Sequence, residues 1–336
     1  MPPLMSCDEV RAEIRQRTAS RIESFRKPAL IRIWDKNWDN GTGTWKPMAI
    51  IIGALAGDFE EKLNDTGEGV LGLLGNHPIC DWLIEEVGES EDVHITVDTA
   101  TWRWHGKADT ITEEQDEDGL ESVTIRFLHG HEHAKKNVCF SNPFFPAIFQ
   151  TPKYYNWVGS AATGLGIMMF LNLLRRYAPN WEVGANIFHP AEWTLNLNPA
   201  DWPQVVNPRG LGLADTSMWT VITTRFGNYH DVAMPILKDA GLQLVSERWL
   251  PGDPQPCPEF FTLVRPTLVW SLRDVSGVRG PTGTPLDGLL RLVGSVAMDG
   301  INEIVEVAAP GTDPEEYSLP GWFGSKPEAP WVSWRS

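Results

Sequence analysis

The sequence predicts a β-rich α+β fold divided into several domains. Short runs rich in β-branched and aromatic residues, bounded by Gly, Asn, Asp and Pro, fill most of residues 29–140 and 216–300. Helical patterns are few and lie at the N-terminus, within residues 141–215 and near residue 230. The 336 residues are 42% hydrophobic and 21% charged, which suits two or three domains with cores of their own.

The first element is an N-terminal helix over residues 1–27. Ser6 and Glu9 are the first and fourth residues of a capping box. In this motif the side chain of each residue accepts a hydrogen bond from the backbone N–H of the other. The apolar stripe that follows is sparse and the opposite side is rich in Arg. Such a helix buries little surface alone, so we expect it to dock on a neighbouring surface.

Residues 28–140 predict a first β domain, a small barrel or sandwich. The stretch "ALIRIWD" alternates as a strand does, and "KNWDNGTGTW" supplies turn residues. Two further strands, "TWRWHGKADTI" and "LESVTIRFLHG", flank the acidic hairpin loop "TEEQDEDG". The run Asn64-Asp65-Thr66-Gly67 predicts a turn before a strand that is interrupted by glycines.

Residues 141–215 predict a helical, aromatic-rich insertion. The stretch "SNPFFPAIFQTPKYYNW" precedes an apolar helix that Arg175, Arg176 and Pro179 close. The apolar part, Val158 to Leu174, is at the short limit for a membrane span and contains polar residues and glycines. We therefore expect a buried helix and no stable membrane span.

Residues 216–308 predict a second β domain with helices. The stretches "SMWTVITTRFG", "LQLVSERWLPG" and "FFTLVRPTLVWSLRDVSG" read as strands, and "YHDVAMPILKDAG" reads as a helix capped by Gly241. Residues 309–336 are rich in Pro and Trp and predict an extended arm. This arm stops without a terminating element, which leads us to expect a longer natural chain.

The negative charge is confined to one segment. Residues 58–121 hold 19 acidic and three basic residues, whereas the rest of the chain holds 25 of each. An acidic segment does not attract phosphates, so specific nucleic-acid binding is disfavoured. Such a segment is suited to the wall of a channel through which DNA slides, and it is equally consistent with a well-solvated surface.

The sixteen tryptophans and four cysteines point to assembly and not to chemistry. Trp is enriched at interfaces and also stacks on carbohydrate. Core packing explains some of the sixteen, and so many in one chain predict extensive subunit contacts. The cysteines are widely spaced and form no C-x-x-C pair, so they predict neither a zinc knuckle nor a disulfide framework.

Two motifs invite a chemical interpretation. Gly67, Gly69 and Gly72 match the G-x-G-x-x-G dinucleotide fingerprint, but polar residues precede them and further glycines follow, so the strand and helix that a cofactor loop requires are missing. His129, His131 and His133 would share one face of an extended strand and are weak candidates for a metal site. A turn into a helix would scatter these rings, which disfavours a metal site. Since neither motif has the context that its chemistry requires, we predict no cofactor, no cofactor-binding residue and no catalytic residue.

Several stretches in this order together resemble a known family: "LIRIWDKNWD", "DFEEKLNDTGEGVLGLLGNHPICDWL", "WRWHGKADTI", "SNPFFPAIFQTPKYYNWVG", "RGPTGTPLDGLLRLV" and "YSLPGWFGSKPEAPWVSWR". They are similar to minor tail proteins of actinobacterial siphophages, mycobacteriophages in particular, and these resemble the tail-associated baseplate hub proteins of other long-tailed phages. The resemblance covers nearly the whole chain from Leu30 onward.

The resemblance implies a structural and non-enzymatic role. It implies tail-tube-like β-barrel domains in a homotrimer at the tail tip of the virion, made in the host cytoplasm. The implied partners are the distal tail ring protein, other minor tail or tip fibre proteins, the tape measure protein, and DNA that passes without specific binding. The alternatives are a tail-associated cell-wall hydrolase and a sugar-binding receptor module.

Overall fold

A computed structural model describes residues 11, 15–16, 18–19, 22–23, 27–37, 44–87, 92–117, 119–178, 197–277 and 282–292. The chain forms two compact units: Met1–Lys62 with Thr66–Gly130, and Leu63–Asp65 with His131–Ser336. The positions described between 11 and 23 are helical, as predicted, whereas the capping box and the predicted arm over residues 309–336 lie outside the described residues.

The first unit is built on one seven-stranded sheet. Its strands are β1 (Leu30–Asn37), β2 (Thr44–Ile51), β3 (Ala56–Phe59), β4 (Glu68–Leu74), β5 (Asp92–Asp98), β6 (Arg103–Gln115) and β7 (Glu121–His129). All neighbouring strands pair antiparallel, in the order β2-β1-β5-β6-β7-β4-β3. A short helical turn, Trp82–Glu86, lies between β4 and β5.

This sheet is curled. Its two end strands, β2 and β3, follow each other in the chain, and only residues 52–55 separate them. Five residue steps reach at most about 18 Å. A flat sheet of seven strands would hold these edges about 29 Å apart. The short link therefore bends the sheet towards a barrel, as the sequence predicted.

The concave side of the sheet carries the core of the first unit. Ile33, Leu71, Ile95, Trp104 and Phe127, from five different strands, are fully buried and belong to one cluster. They alternate with exposed or polar positions along their strands, which is the pattern that places one face of an antiparallel sheet on a core.

The second unit combines helices with two small sheets. Its elements are α1 (Glu132–Lys135), β8 (Tyr155–Ser160), α2 (Ala161–Tyr177), β9 (Gln204–Val206), β10 (Trp219–Thr224), α3 (Tyr229–Ala240), β11 (Leu242–Trp249) and β12 (Thr267–Asp274), and residues 285–292 are also helical. The strands β8 and β10 pair with each other, and β11, β12 and β9 form the second sheet. Gly241 ends α3 in the left-handed conformation at φ 64°, as predicted.

The boundaries differ from the predicted division of the chain. The first unit ends at Gly130, ten residues before the predicted end of the 28–140 domain, because the chain leaves the sheet directly after β7. The predicted 141–215 insertion and 216–308 β domain share one core, in which Leu165 of α2 packs in the same cluster as Leu244 and Trp270. Long-range packing joins segments that the sequence pattern separates.

The apolar helix predicted near residues 158–174 is a buried core helix. α2 buries Leu165, Met168, Met169 and Leu173 in the cluster of the second unit. It begins at Ala161 and not at Val158, because residues 155–160 pair with β10. Among the described residues, no helix has both the length and the apolar character that crossing a bilayer requires.

A distant carboxylate caps this helix. The side chain of Ser160 makes no capping hydrogen bond at the start of α2. Instead, Asp215 Oδ2 accepts hydrogen bonds from the Thr163 backbone N–H (2.7 Å) and hydroxyl (2.6 Å), and Asp215 Oδ1 accepts one from the Ser217 N–H (2.8 Å). Asp215 is buried, so its negative charge meets the positive end of the helix dipole away from water.

Three groups with raised pKa values lie in the core of the second unit. Burial raises the pKa of the Cys139 thiol to about 12. Burial also raises the pKa of Tyr155 and of Tyr229, whose hydroxyls donate to the carbonyls of Gly164 (3.0 Å) and Leu165 (3.2 Å). All three groups are therefore neutral at physiological pH.

Candidate interaction surfaces

The glycine fingerprint is a packing device in the β3–β4 hairpin. A Cβ on Gly67 would lie 1.9 Å from the carbonyl oxygen of Glu60, and a Cβ on Gly69 would lie 2.6 Å from the Trp104 ring. Trp104 is fully buried, and its indole N–H donates to that same Glu60 carbonyl (2.9 Å). These glycines therefore let a large ring and a second strand approach the backbone, and the predicted turn followed by a strand is confirmed.

Asn64 makes the turn at the tip of this hairpin. Its φ of 57° lies in the left-handed region, which Asn tolerates better than most residues. Its side-chain amide donates to the Leu242 carbonyl (2.9 Å), and its Oδ1 accepts from the Leu244 N–H (2.7 Å). The buried side chain thus pairs with β11 in the way that a strand residue would.

The three histidines occupy separate environments. His129 ends β7 with its ring 4.6 Å from that of His105, whereas His131 lies edge-on to His230 and Trp270. His133 is half-buried on the short helix α1, so the predicted turn into a helix is confirmed. Within the part of the chain that the structure describes, no three His, Cys, Asp or Glu side chains are grouped so as to hold a metal ion.

The acidic hairpin, defined as residues 108–125, joins β6 to β7 at one end of the sheet. It comprises the outer half of β6, the loop and most of β7, and it contains seven acidic and no basic residues. The loop is closed by Asp116, whose carboxylate accepts the Leu120 N–H at 2.7 Å. Glu113, Glu114 and Glu117 are exposed, as is Leu120 at 54%. The tip thus combines negative charge with an apolar side chain.

The acidic residues of the first unit also reach the surface beyond the hairpin. Asp58 on β3 is exposed, and so are Glu60 and Glu61 in the turn that follows. Glu60 pairs with Lys62 at 3.2 Å, which offsets one of these charges. The acidic surface that the sequence predicts is therefore present at two places in the unit.

The aromatic loop, defined as residues 141–154, exposes a group of large apolar side chains. The exposed fractions are 51% for Phe144, 39% for Phe145, 96% for Ile148, 68% for Phe149 and 47% for Tyr154. Together they leave on the order of 500 Å² of hydrophobic side-chain surface in water, which is about the size of the largest apolar patch on a typical monomer, and such a patch is often functional.

The side chain of Gln150 fixes the shape of this loop from inside. Its carbonyl oxygen accepts hydrogen bonds from the Ser141 hydroxyl (3.0 Å) and the Asn142 backbone N–H (2.9 Å). Its amide donates to the carbonyls of Phe145 (2.7 Å) and Pro146 (3.1 Å). The buried amide thereby satisfies four groups at once and holds the apolar side chains outward.

Basic residues surround the aromatic loop. Arg175, at the end of α2, donates to the Phe145 carbonyl (2.5 Å) and stacks 4.0 Å above the Phe140 ring. Lys153 within the loop and Arg176 next to Arg175 are exposed. Residues 133–181 contain five Lys or Arg and no Asp or Glu. This run of 49 residues without an acid was readable in the sequence, yet the net charge of the whole chain hides it.

The tryptophans are divided between core and surface. Trp104, Trp202, Trp249 and Trp270 are buried, so core packing accounts for these four. Trp102 is 40% exposed. The expectation that some tryptophans belong to the core holds for these four, whereas subunit contacts through the others stay a prediction. The most exposed aromatic ring among the described residues is Phe149.

Comparison with known proteins gives one family and two curated relatives. The family model of the Siphovirus ReqiPepy6 Gp37-like protein matches residues 30–336. Minor tail protein Gp28 of Mycobacterium phage L5 is 30% identical over 312 residues, which are 86% of this chain and 52% of that protein. The protein of the same name in Mycobacterium phage D29 is 29% identical over 342 residues, which are 95% of this chain and 56% of that protein. The chain spans about half the length of these relatives.

Two solved structures are similar at low level. The E. coli c3393 protein, a type VI secretion system component with similarity to the T4 tail proteins gp27 and gp5, matches with a TM-score of 0.29 and 8% identity over 75% of this chain and 47% of its own. The 43 kDa tail protein of prophage MuSo2 from Shewanella oneidensis matches with a TM-score of 0.31 and 13% identity over 76% of this chain and 56% of its own.

Proposed function

Because the chain belongs to the Siphovirus ReqiPepy6 Gp37-like family, we propose that it is a structural subunit of a phage tail, placed in the baseplate hub at the tail tip. In this role a homotrimer joins the tail tube and the distal tail ring to the tip fibre. Its neighbours are other minor tail proteins and the tape measure protein. The name minor tail protein carried by both curated relatives supports the proposal.

The hub also forms part of the wall of the DNA-delivery channel. The observation that carries this step is the charge of residues 58–121, with 19 acids and three bases. Asp58, Glu60 and Glu61 present carboxylates at the surface, next to the edge strand β3. Phosphates repel carboxylates at short range, so DNA passes such a wall without being held.

The mechanism is mechanical, and rigidity is its main requirement. The curled sheet of the first unit is antiparallel throughout and carries a fully buried core, so it keeps its shape under load. The second unit holds its parts together through long-range contacts such as the Asp215 cap on α2. A rigid subunit of this kind passes movements of the tip fibre to the tail tube and keeps the channel closed to the surrounding solution. Neither task needs a catalytic residue.

The placement at the tail tip is tested by labelling. Phage particles assembled with an affinity-tagged copy of the chain are decorated with gold-labelled antibody and imaged by electron microscopy. We expect label at the distal end of the tail in intact particles. Label along the tube, or particles without label, would contradict the proposal, and digestion of purified cell wall by the same chain on a zymogram would favour the hydrolase alternative.

The channel role is tested by changing charge. Replacement of Asp58, Glu60 and Glu61 by Lys should leave assembled tails in normal number but slow DNA release, because phosphates then bind the wall. The matched control replaces three exposed carboxylates of the second unit, Asp231, Asp239 and Glu247, by Lys. Release is followed by a dye that fluoresces on free DNA, and equal release by the two variants would contradict a channel wall at β3.

A further inference from the structure

We propose that the aromatic loop of one copy binds the acidic hairpin of a second copy, so that copies of this chain join head to tail. The inference rests on the proposed function, because it names the contact by which the hub subunits assemble. It also assigns the seven acids of the hairpin to the contact between subunits. The channel wall then keeps the other 12 of the 19 acids in residues 58–121, and those near β3 are among them.

The first support is that the aromatic loop is built to stay exposed. Ile148 is 96% exposed and Phe149 68%, although a flexible loop could fold such side chains inward. The four hydrogen bonds of Gln150 and the bond from Arg175 to the Phe145 carbonyl prevent this. A surface ordered before binding loses less conformational entropy when a partner arrives.

The second support is charge complementarity. Three basic side chains lie in the aromatic loop or at the end of α2 beside it, Lys153, Arg175 and Arg176, and the acidic hairpin, 108–125, carries seven acidic and no basic ones. Lys153 and Arg176 are exposed beside the loop, and Glu113, Glu114 and Glu117 are exposed on the hairpin. Opposite charges at the rim steer association and fix its register, while like surfaces repel.

The third support is that the hairpin has the apolar group such a contact needs. Leu120 is 54% exposed at the tip, next to the closing Asp116. An apolar side chain within a charged rim is the usual anatomy of an interface. Because hairpin and loop are different surfaces, the contact is heterologous, and the homotrimer of the proposed function is the closed ring that such contacts form when the rotation between copies is one third of a turn.

The experiment measures the oligomeric state of the full chain by sedimentation velocity, at about 0.05 M and about 0.5 M salt. One variant reverses the hairpin (Glu113→Lys, Glu114→Lys, Glu117→Lys), a second reverses the rim (Lys153→Glu, Arg176→Glu), and a third combines both. We expect each single reversal to weaken association about tenfold or more, and the combined variant to recover most of the loss.

An apolar variant tests the loop itself. Ile148→Ser with Phe149→Ser should give monomers at both salt concentrations, whereas Leu213→Ser, at a residue 90% exposed outside the loop, should leave the oligomer intact. Circular dichroism confirms that each variant is folded. An oligomer that survives the Ile148 and Phe149 changes, a combined variant no better than the single ones, or a wild-type chain that stays monomeric would each overturn the proposal.

Two further results separate the alternatives. If the wild-type chain is monomeric and binds phosphatidylcholine vesicles through Phe149, the loop is a membrane contact and the proposal is wrong. If labelled particles carry the chain at the tail tip while the loop variants assemble normal hubs, the proposed function stands and this inference falls.

Discussion

Replacing single glycines of the fingerprint by Ala separates packing from cofactor binding. Gly69→Ala would place a methyl group 2.6 Å from the Trp104 ring and 2.7 Å from the Phe59 ring. Trp104 cannot move away freely, because it is fully buried and bonded to the Glu60 carbonyl. Gly72→Ala is a matched control in the same strand, since its nearest neighbour would be an ordinary 3.6 Å away, at Ala56.

The two costs follow from these distances. Forcing a methyl group into a filled core costs about 1–3 kcal/mol, and we expect about 2 kcal/mol for Gly69→Ala. An Ala that fits without strain stabilises by about 0.5 kcal/mol, because it restricts the unfolded chain, and this is the expectation for Gly72→Ala. The variants should therefore differ in sign although they change the same motif in the same way.

Hydrogen exchange read by mass spectrometry measures this difference in the full chain. Peptides covering β4 and β7 should exchange about 30-fold faster in Gly69→Ala, as a loss of 2 kcal/mol requires, and no faster in Gly72→Ala. Peptides from β11 and β12 serve as the internal reference. Equal effects of the two replacements, or a larger effect of Gly72→Ala, would refute the packing argument.

Three further predictions concern the second unit. Asp215→Ala removes three hydrogen bonds and the helix cap, and should lower the free energy of unfolding by about 2–4 kcal/mol in urea titrations, whereas an unchanged midpoint would contradict the cap. Gln150→Glu places a carboxylate next to the carbonyls of Phe145 and Pro146, which lose their hydrogen-bond donor. Chymotrypsin should then cleave the aromatic loop at least about tenfold faster while the core stays folded. Equal cleavage of the two proteins would count against the Gln150 bonds. The pKa of Cys139 rises from 9.0 to about 12 on folding, so the thiol of the unfolded chain loses its proton at lower pH than the thiol of the folded chain. The free energy of unfolding should therefore fall as pH rises above 9, and the fall should be shallower in Cys139→Ala. An identical slope in the two proteins would contradict the buried thiol.

Local pattern was enough to predict four strands of the first unit, β1, β4, β6 and β7, but not the order of the seven strands in the sheet. Alternation and turn residues located β6, β7 and the acidic loop between them, and the turn at Asn64 was read from its residue types. These features depend on residues close in the chain, where steric and hydrogen-bonding preferences act directly.

The second unit shows what sequence pattern does not contain. The cap on α2 comes from Asp215, 52 residues away from Thr163, and no periodicity in either stretch indicates it. The start of the helix was misplaced by three residues because Val158, Gly159 and Ser160 favour their ladder with β10 over the helix. In both cases a long-range partner decides between local conformations of similar energy.

The candidate surfaces divide in the same way. The Pro- and aromatic-rich composition of residues 141–154 was visible, but the prediction of subunit contacts rested on tryptophans, and four of these are buried in the core. Whether an aromatic side chain is core or surface depends on backbone direction, and in this loop Gln150 sets that direction. Composition identifies a side chain that can bind, and only the fold shows which way it points.

Order in the aromatic loop is the strongest physical reason to regard it as functional. Exposed apolar side chains cost little when a loop is mobile, because they can shelter against the nearest surface. Here the buried side chain of Gln150 makes four hydrogen bonds within the loop and Arg175 adds a fifth. These bonds hold the loop in a conformation that leaves Ile148 and Phe149 exposed to water. Such an arrangement lowers the stability of an isolated subunit, and a partner that covered the loop would remove this cost.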